Sequence, residues 1–137
     1  MMAGDRLFVH PSNMKLIGKS KIFEVPHPEV FGVDKCYIGF AGNAGAFGTI
    51  ISWLSTPEEK QPRFSGVEML LLTNNGEILH GTTLRNFMHI TEPHYAIGSG
   101  MMYAQAAMSA GKTPFEAVKI AAKHDIYTGG PFNKLDM

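Results

Sequence analysis

Two apolar runs separated by Asn74-Asn75-Gly76 constrain the fold of this chain more than any other feature. The runs VEMLLLT and EILHGTTL are each long enough for one strand. An Asn-Gly pair between such runs favours a tight hairpin, because both residues accept the left-handed backbone conformations that hairpin turns require. The pattern therefore predicts two neighbouring antiparallel strands in the middle of the chain.

Further strands are predicted on both sides of this hairpin, from short apolar or alternating runs bounded by turn residues. They are residues 2–10, 14–25, 36–42, 86–90 and 95–100, and a last strand that starts near Ile126. The first two of these should form a hairpin around the turn signal Pro11-Ser12-Asn13.

Helices are predicted in two parts of the chain. Phe47, Ile50, Ile51 and Leu54 have the spacing of one apolar helix face, which predicts a helix over 43–55.

The second helical part covers residues 100–124. Its first half, MMYAQAAMSAG, is rich in small residues, so another element can approach it closely. Its second half begins with a capping box, in which Thr113 is the N-cap and Glu116 the third helical residue. Strands, a helix, more strands, two helices and a strand follow in that order, which favours an α+β fold with helices packed on antiparallel sheets.

Composition excludes several classes of protein. The 137 residues fit a single domain, 1–137, and 45% hydrophobic against 18% charged residues does not indicate disorder. Lys plus Arg equals Asp plus Glu, at 12 each, which argues against nucleic-acid binding. No apolar run is long enough for a membrane span. Cys36 is the only cysteine, so we expect no intrachain disulfide and a reducing, cytoplasmic location.

Four features could carry chemistry, and each also has an ordinary structural interpretation. The glycines of GFAGNAGAFG, residues 39–48, could place backbone N–H groups against an anion, but the dinucleotide pattern G-x-G-x-x-G is absent. Ser99 lies between two glycines at a helix start, where the usual role of serine is that of N-cap. Asp125 follows a helix, where the macrodipole disfavours a carboxylate, so we expect a compensating partner.

The fourth feature is the pair Asp5 and Lys21, on the two arms of the predicted first hairpin. A cross-strand ion pair is the ordinary interpretation, and an exposed one would contribute less than about 1 kcal/mol. A buried pair would instead tune a neighbouring group. His89, Glu92 and His94 in HITEPH give only a weak metal pattern, so no metal and no cofactor are predicted.

Taken together, these segments resemble the proteasome β-subunit family and, within it, the bacterial HslV protease. The resemblance covers nearly the whole chain, through AGDRLFVHPSNMKLIGKSKI, IGFAGNAGAF, YAIGSGMMYAQAAM and HDIYTGGPFN in the family's order. It implies the N-terminal nucleophile (Ntn) hydrolase fold, a four-layer αββα sandwich of two antiparallel sheets.

The resemblance also implies a mechanism. In the family, the hydroxyl of an N-terminal threonine attacks the peptide carbonyl, and the α-amine of the same residue accepts the proton. Lys21 would act electrostatically beside the nucleophile, Asp5 would orient Lys21, and Gly42 would donate an oxyanion-hole N–H.

Three further residues complete the implied site, because Ser99, Asp125 and Thr128 would form the network that holds the N-terminus. The threonine itself is not among the residues MMAGDRLFVH that open the chain. We expect that about a dozen residues, one strand and its turn, precede Met1 in the natural protein. As it stands, the chain should be an inactive form of a threonine peptidase.

Two alternatives remain open. A non-catalytic assembly or binding protein could use the same fold as a scaffold. A small-molecule amidase of the Ntn superfamily could use a cysteine, for which Cys36 would be the candidate, although an inert core thiol fits its apolar strand better. The resemblance further implies a peptide or protein substrate and a homo-oligomer, dimer or ring, and it allows an ATPase unfoldase as partner.

Overall fold

The computed structural model describes residues 1–4, 7–9, 15–17, 20–125, 127–130 and 132–136, and for 7–9 and 15–17 it describes the backbone. The strands, in chain order, are β1 (Met2–Gly4), β2 (Leu7–Val9), β3 (Lys15–Ile17), β4 (Ile22–Glu24), β5 (Cys36–Gly42), β6 (Val67–Thr73), β7 (Ile78–Gly81), β8 (Phe87–Ile90) and β9 (Asn133–Leu135). The α-helices are α1 (Ala44–Ser55), α2 (Met101–Ser109) and α3 (Pro114–His124), and a 3₁₀-helix covers Pro28–Phe31.

The strands form antiparallel sheets. Strands β4 to β8 make a sheet in the order β4-β5-β6-β7-β8, while β1 pairs with β9 and β2 pairs with β3. Every pair whose register is described is antiparallel. The predicted α+β class with antiparallel sheets is therefore confirmed, whereas the four-layer arrangement stays a prediction.

The central hairpin has the predicted turn. Gly76 adopts a positive φ of 80°, and its N–H donates to the Thr73 carbonyl at 3.0 Å. The hydroxyl of Thr73, a residue only 1% exposed, accepts from the N–H groups of Asn75 and Glu77 at 3.3 and 3.2 Å. These bonds give the backbone N–H groups of the turn a buried acceptor, and they fix the register of β6 against β7.

The described chain divides into two compact units, residues 23–91 and the combination of 1–22 with 92–137. In the first unit, α1 covers one face of the five-stranded sheet. The Phe47 ring stacks on Phe40 with centroids 5.2 Å apart, and Ile50 is fully buried. Alternate residues of β6 are buried, as expected for a strand with one face against a helix.

In the second unit, α2 and α3 pack against each other mainly through alanines, which confirms the close approach predicted from the small residues of α2. The buried residues of this cluster are Ala104, Ala107, Met108, Ala117 and Ala121. Strand β1 packs against α3 and pairs with β9, with Met2 opposite Leu135. The capping box of α3 is confirmed as well, because Thr113 and Glu116 each bond the other's backbone N–H.

Several strand predictions were wrong in detail. Residues 95–100 are not a strand, because Gly98 turns the chain at φ 96° and Ala96 packs against the α2–α3 cluster instead of a sheet. The last strand begins at Asn133, since the backbone N–H of Thr128 bonds the Asp125 carbonyl and makes a turn there.

The predicted first hairpin is present only in part. β2 pairs with β3, with Leu7 opposite Ile17, whereas β4 belongs to the five-stranded sheet. The turn predicted at Pro11-Ser12-Asn13, and Ile126, lie outside the described residues. In the described ranges, no helix has both the length and the apolar composition needed to cross a membrane.

Candidate functional site

Asp125 is the centre of a hydrogen-bond network at the end of α3. Its backbone is extended and its N–H donates to the Ala121 carbonyl at 2.8 Å, which ends the helix. Its carboxylate oxygen Oδ2 accepts from Ser99 Oγ at 2.6 Å and from Thr128 Oγ1 at 2.7 Å. The other oxygen, Oδ1, accepts from the Tyr127 N–H at 3.2 Å. Three predicted site residues, Ser99, Asp125 and Thr128, are thus in direct contact.

This network offsets an unfavourable position. A carboxylate beyond the last turn of a helix faces the negative end of the macrodipole. The two hydroxyls and the Tyr127 N–H direct positive hydrogens at it, and hydrogen bonds to a charged group are stronger than neutral ones. Asp125 is half-buried, and its bond to Thr128 is partly shielded from water, whereas the bonds to Ser99 and to the Tyr127 N–H are exposed.

Ser99 does not cap α2, so its ordinary interpretation as an N-cap was wrong. Gly100 occupies the N-cap position of α2, and no side chain of the described residues caps this helix. The first turn is closed by the backbone, through the Met101 N–H and the Gly98 carbonyl at 3.1 Å. The Ser99 hydroxyl is thereby free to reach across to Asp125.

Gly100 is a site residue that sequence reasoning missed. A Cβ placed on it would lie 2.7 Å from Thr128 Oγ1 and 3.3 Å from Asp125 Oδ2. Only a glycine lets the start of α2 approach the carboxylate and the hydroxyl this closely. The signal in the sequence was the second glycine of Gly98-Ser99-Gly100. The backbone of Gly100 does not require a glycine, because any residue can adopt its φ of −87°.

Lys21 lies in the same compact unit as this network. The hydroxyl of Ser20 donates to the Ile22 carbonyl at 2.8 Å and accepts from the Ile22 N–H at 3.2 Å, which holds the backbone on both sides of Lys21. Gly4 approaches Ile22 so closely that a Cβ would lie 3.2 Å from its side chain. Asp5 lies outside the described residues, so the Lys21–Asp5 ion pair stays a prediction.

Gly42 belongs to the other compact unit. It ends β5 with a positive φ of 106°, and a Cβ there would lie 2.1 Å from the Gly66 carbonyl oxygen. The same oxygen accepts from the Asn43 N–H at 2.7 Å. The turn into α1 therefore requires a glycine, whatever its N–H contributes to chemistry, and an oxyanion role for Gly42 stays a prediction.

His80 and His94 make contacts that were not predicted. His80 Nε2 lies 2.9 Å from Glu68 Oε2. Because His80 pairs with Leu70, Glu68 is its diagonal neighbour on the same sheet face, and the register of the central hairpin could have predicted the pair. His94, in contrast, contacts Gln105 of α2, and no sequence spacing indicates that contact.

Cys36 and the histidines give little support to other chemistry. Cys36 is completely buried in β5, and burial, with a smaller contribution from Glu24, raises the pKa of its thiol to about 11. A thiol of this kind is not ionised near neutral pH and is a poor nucleophile. Among the residues that the structure describes, no three His, Cys, Asp or Glu side chains are placed to hold a metal ion.

Comparisons with known proteins were made by sequence and by structure. No protein-family model matches the chain, and no curated protein matches it in sequence. Solved structures do match. BPH from Thiobacillus denitrificans has a TM-score of 0.68 at 18% identity, and the match covers 96% of this chain and 88% of the BPH chain. Anbu (ancestral beta-subunit) from Yersinia bercovieri has a TM-score of 0.68 at 15% identity, with 95% and 73% covered.

These similarities establish a proteasome-related fold, and at such identities they establish the fold alone. The narrower resemblance to HslV was wrong, because the similar structures are BPH and Anbu, which are proteasome-like but not HslV-like.

Proposed function

We propose that this chain is a proteasome-like peptidase domain, in which the described residues support an N-terminal nucleophile without including one. The observation that carries the proposal is the network of Ser99, Asp125 and Thr128. Its residues come from two helix ends, and none of its side-chain bonds caps α2. Stability of the helices alone gives no reason for this arrangement.

The chemistry of the network suits a terminal amine. A carboxylate held by two hydroxyls attracts an ammonium group, and the hydroxyl oxygens keep lone pairs that can accept from its N–H groups. An α-amine titrates near pH 8, so that once deprotonated it can serve as the base for a neighbouring hydroxyl at neutral pH. Asp125, Ser99 and Thr128 would orient the amine, and Lys21 would favour the ionised hydroxyl.

One of the similar structures is a ligand complex. Thiobacillus denitrificans BPH has been solved in complex with epoxomicin, with a TM-score of 0.62 at 20% identity and 96% and 88% of the two chains covered. Under the proposal, this chain would bind the same compound once a terminal threonine is supplied. Epoxomicin therefore serves as a probe beside a peptide substrate.

The proposal includes a homo-oligomer. On α2, Met101, Met102 and Tyr103 are 45%, 76% and 44% exposed, which is unusual for three successive large apolar side chains. An apolar surface of this kind favours contact with another copy. A non-catalytic assembly protein, the second candidate, would use the same surface and need no nucleophile.

The experiment compares the 137-residue chain with a chain that also carries the residues encoded in frame upstream of Met1. We expect the longer chain to begin with threonine after Met removal, to bind epoxomicin and to cleave a fluorogenic peptide. The shorter chain should lose roughly 10⁶-fold in rate, as is typical when a nucleophile is removed.

Site variants of the longer chain test the network. Asp125→Asn should lower the rate strongly, because the amide lacks the charge that holds the amine, while Asp34→Asn, in an exposed turn, should not. If the upstream DNA encodes no threonine, or if the shorter chain is equally active, the peptidase proposal is wrong. An inactive but oligomeric longer chain would support the assembly protein instead.

A further inference from the structure

Gln105, in the second turn of α2, joins the helix to the segment that leads into it. Its amide nitrogen Nε2 lies 3.1 Å from the ring nitrogen Nδ1 of His94 and 3.2 Å from the His94 carbonyl oxygen. The amide oxygen Oε1 of Gln105 is buried and has no hydrogen-bond partner among the described residues. The amide is thus held by His94 on its nitrogen side alone.

The carbonyl determines the orientation of the amide. A carbonyl oxygen only accepts hydrogen bonds, so the group facing it must be the NH₂ of Gln105 and not its oxygen. The same NH₂ then faces His94 Nδ1, which must act as an acceptor and carry no proton. The contact therefore requires neutral His94 with its hydrogen on Nε2.

Protonation of His94 would break this contact. A protonated ring donates from both nitrogens, so Nδ1–H would face the NH₂ of Gln105. A rotation of the amide by 180° would let Oε1 accept from Nδ1–H, but the His94 carbonyl would then face Oε1 and lose its donor. Neither orientation of the amide satisfies both His94 groups once the ring is charged.

His94 lies five residues before Ser99, and the intervening segment is short and tied down. Ala96 packs against the α2–α3 cluster, and the Gly98 carbonyl accepts from the Met101 N–H at 3.1 Å. Ser99 follows directly and donates to Asp125. A change at His94 can therefore reach Ser99 through only four intervening residues, and their described anchors lie on the α2–α3 pair.

We infer that Gln105 is a positioning residue for Ser99. It acts through its two hydrogen bonds to the Nδ1 and the carbonyl of His94, called the clasp below, which form together only when His94 is neutral. The role of Ser99 rests on the proposed function, whereas the clasp itself does not. Glu92 and Tyr95 are the ionisable residues that flank His94 in the chain, and the uncharged Gln105 faces it from α2. On the same helix, Tyr103 stacks on His124 of α3, with centroids 5.2 Å apart.

The test is NMR spectroscopy of the whole chain, which needs no enzyme activity. Long-range ¹H–¹⁵N spectra should show the Nε2–H form of His94 at high pH. When the pH is lowered until the His94 ring is protonated, the backbone amide signals of Ser99 and Gly100 should move together with the ring signals. In Gln105→Leu the ring should still titrate, the Ser99 signal should no longer follow it, and the Ser99 amide should exchange about fivefold faster.

A variant that introduces a negative charge and a control variant complete the test. In Gln105→Glu, the carboxylate can accept from protonated Nδ1–H but cannot donate to the His94 carbonyl, so its bond to the ring should form at low pH and be lost at high pH. His89→Gln, on β8, should change none of these signals. An Nδ1–H form of neutral His94, or Ser99 signals that ignore both the His94 titration and Gln105→Leu, would overturn the inference. Since hydrolysis is not measured, failure of the peptidase proposal would leave this result unaffected.

Discussion

Helices α1 and α2 each begin beside a glycine, but their first turns are built in different ways. At α1, the side chain of Asn43 accepts from the Gly45 N–H at 3.1 Å, so the helix is capped by the residue before it. At α2, Ser99 belongs to the same class of capping residue, yet its hydroxyl bonds Asp125, which lies 26 residues further along the chain. The Ser99 hydroxyl bonds Asp125 and does not cap α2. This long-range contact is stronger evidence for a site than the presence of a serine at a helix start.

The glycines at the two helix starts should differ in how much they tolerate a side chain, and Gly42 should be the less tolerant. In Gly42→Ala, the Cβ would lie 2.1 Å from the Gly66 carbonyl oxygen at a positive φ, and moving that oxygen would break its hydrogen bond with the Asn43 N–H at 2.7 Å. We expect a loss of about 3 kcal/mol or more in the free energy of unfolding, measured by urea denaturation.

The matched control is Gly48→Ala, in the same helix α1. No described atom lies within 4 Å of the added Cβ, and alanine favours the helix more than glycine does. This variant should be unchanged or more stable by about 0.5–1 kcal/mol. Equal losses in the two variants would show that the turn at Gly42 does not need its special conformation.

Gly100→Ala should have the second largest effect. The added Cβ would lie 2.7 Å from Thr128 Oγ1, but the backbone φ of −87° is unstrained and a side chain can move. We expect a loss of about 2 kcal/mol, in the range of overpacked sites, together with displacement of the Thr128 hydroxyl from Asp125. A crystal structure of the variant with the Thr128–Asp125 distance still near 2.7 Å would contradict this expectation.

The start of α1 could be predicted from the sequence more completely than the start of α2. Local rules give strand β5, the turn glycine and the apolar face of α1, because each depends on neighbours within a few residues. They failed for residues 95–100, where Ala96 packs on the α2–α3 cluster and no residue of the run is in a sheet. The spacing of apolar residues predicts that they are buried, but it does not predict which element they pack against.

The same limit applies to the candidate site. Ser99, Asp125 and Thr128 were predicted together through a family resemblance, since no spacing rule connects residues 26 positions apart. Gly100 was missed because this position needs a glycine for close packing, which the sequence does not reveal, and not for an unusual backbone conformation. Gln105 was missed because a polar residue on a small-residue helix is usually exposed, whereas here its amide oxygen is buried.

A double-mutant cycle would sharpen the comparison of the two helix starts. Ser99→Ala, Asp125→Ala and the double variant should give a coupling energy of about 1 kcal/mol, because the two side chains bond each other directly.

Asn43→Ala is the control at the other helix start. It should lower the free energy of unfolding by about 1 kcal/mol through the loss of an N-cap, and its effect should be additive with that of Asp125→Ala. Urea denaturation measures all the variants, and additivity of Ser99 with Asp125 would contradict the proposed network.

Helix α3 provides a third start, and its capping box leads to the smallest predicted effect. Glu116 accepts from the Thr113 N–H at 3.1 Å, and this bond is the main cause that lowers the pKa of the Glu116 carboxyl below 4.5. The Thr113 side chain and the charges of Lys112 and Lys119 act in the same direction. Because the folded state holds this proton less tightly than the unfolded state, the contribution to stability is complete above pH 4.5 and disappears as the pH falls through the folded pKa.

Glu116→Gln isolates that contribution, because the amide oxygen can still accept from the Thr113 N–H but carries no charge. The variant should be slightly less stable than the parent chain at pH 7, and the difference should shrink towards zero as the pH falls below 4.5. Urea midpoints measured across this range give the difference directly. A difference that persists unchanged at low pH would show that Glu116 acts through its shape and not its charge, and that α3, like α1, is capped by hydrogen bonds alone.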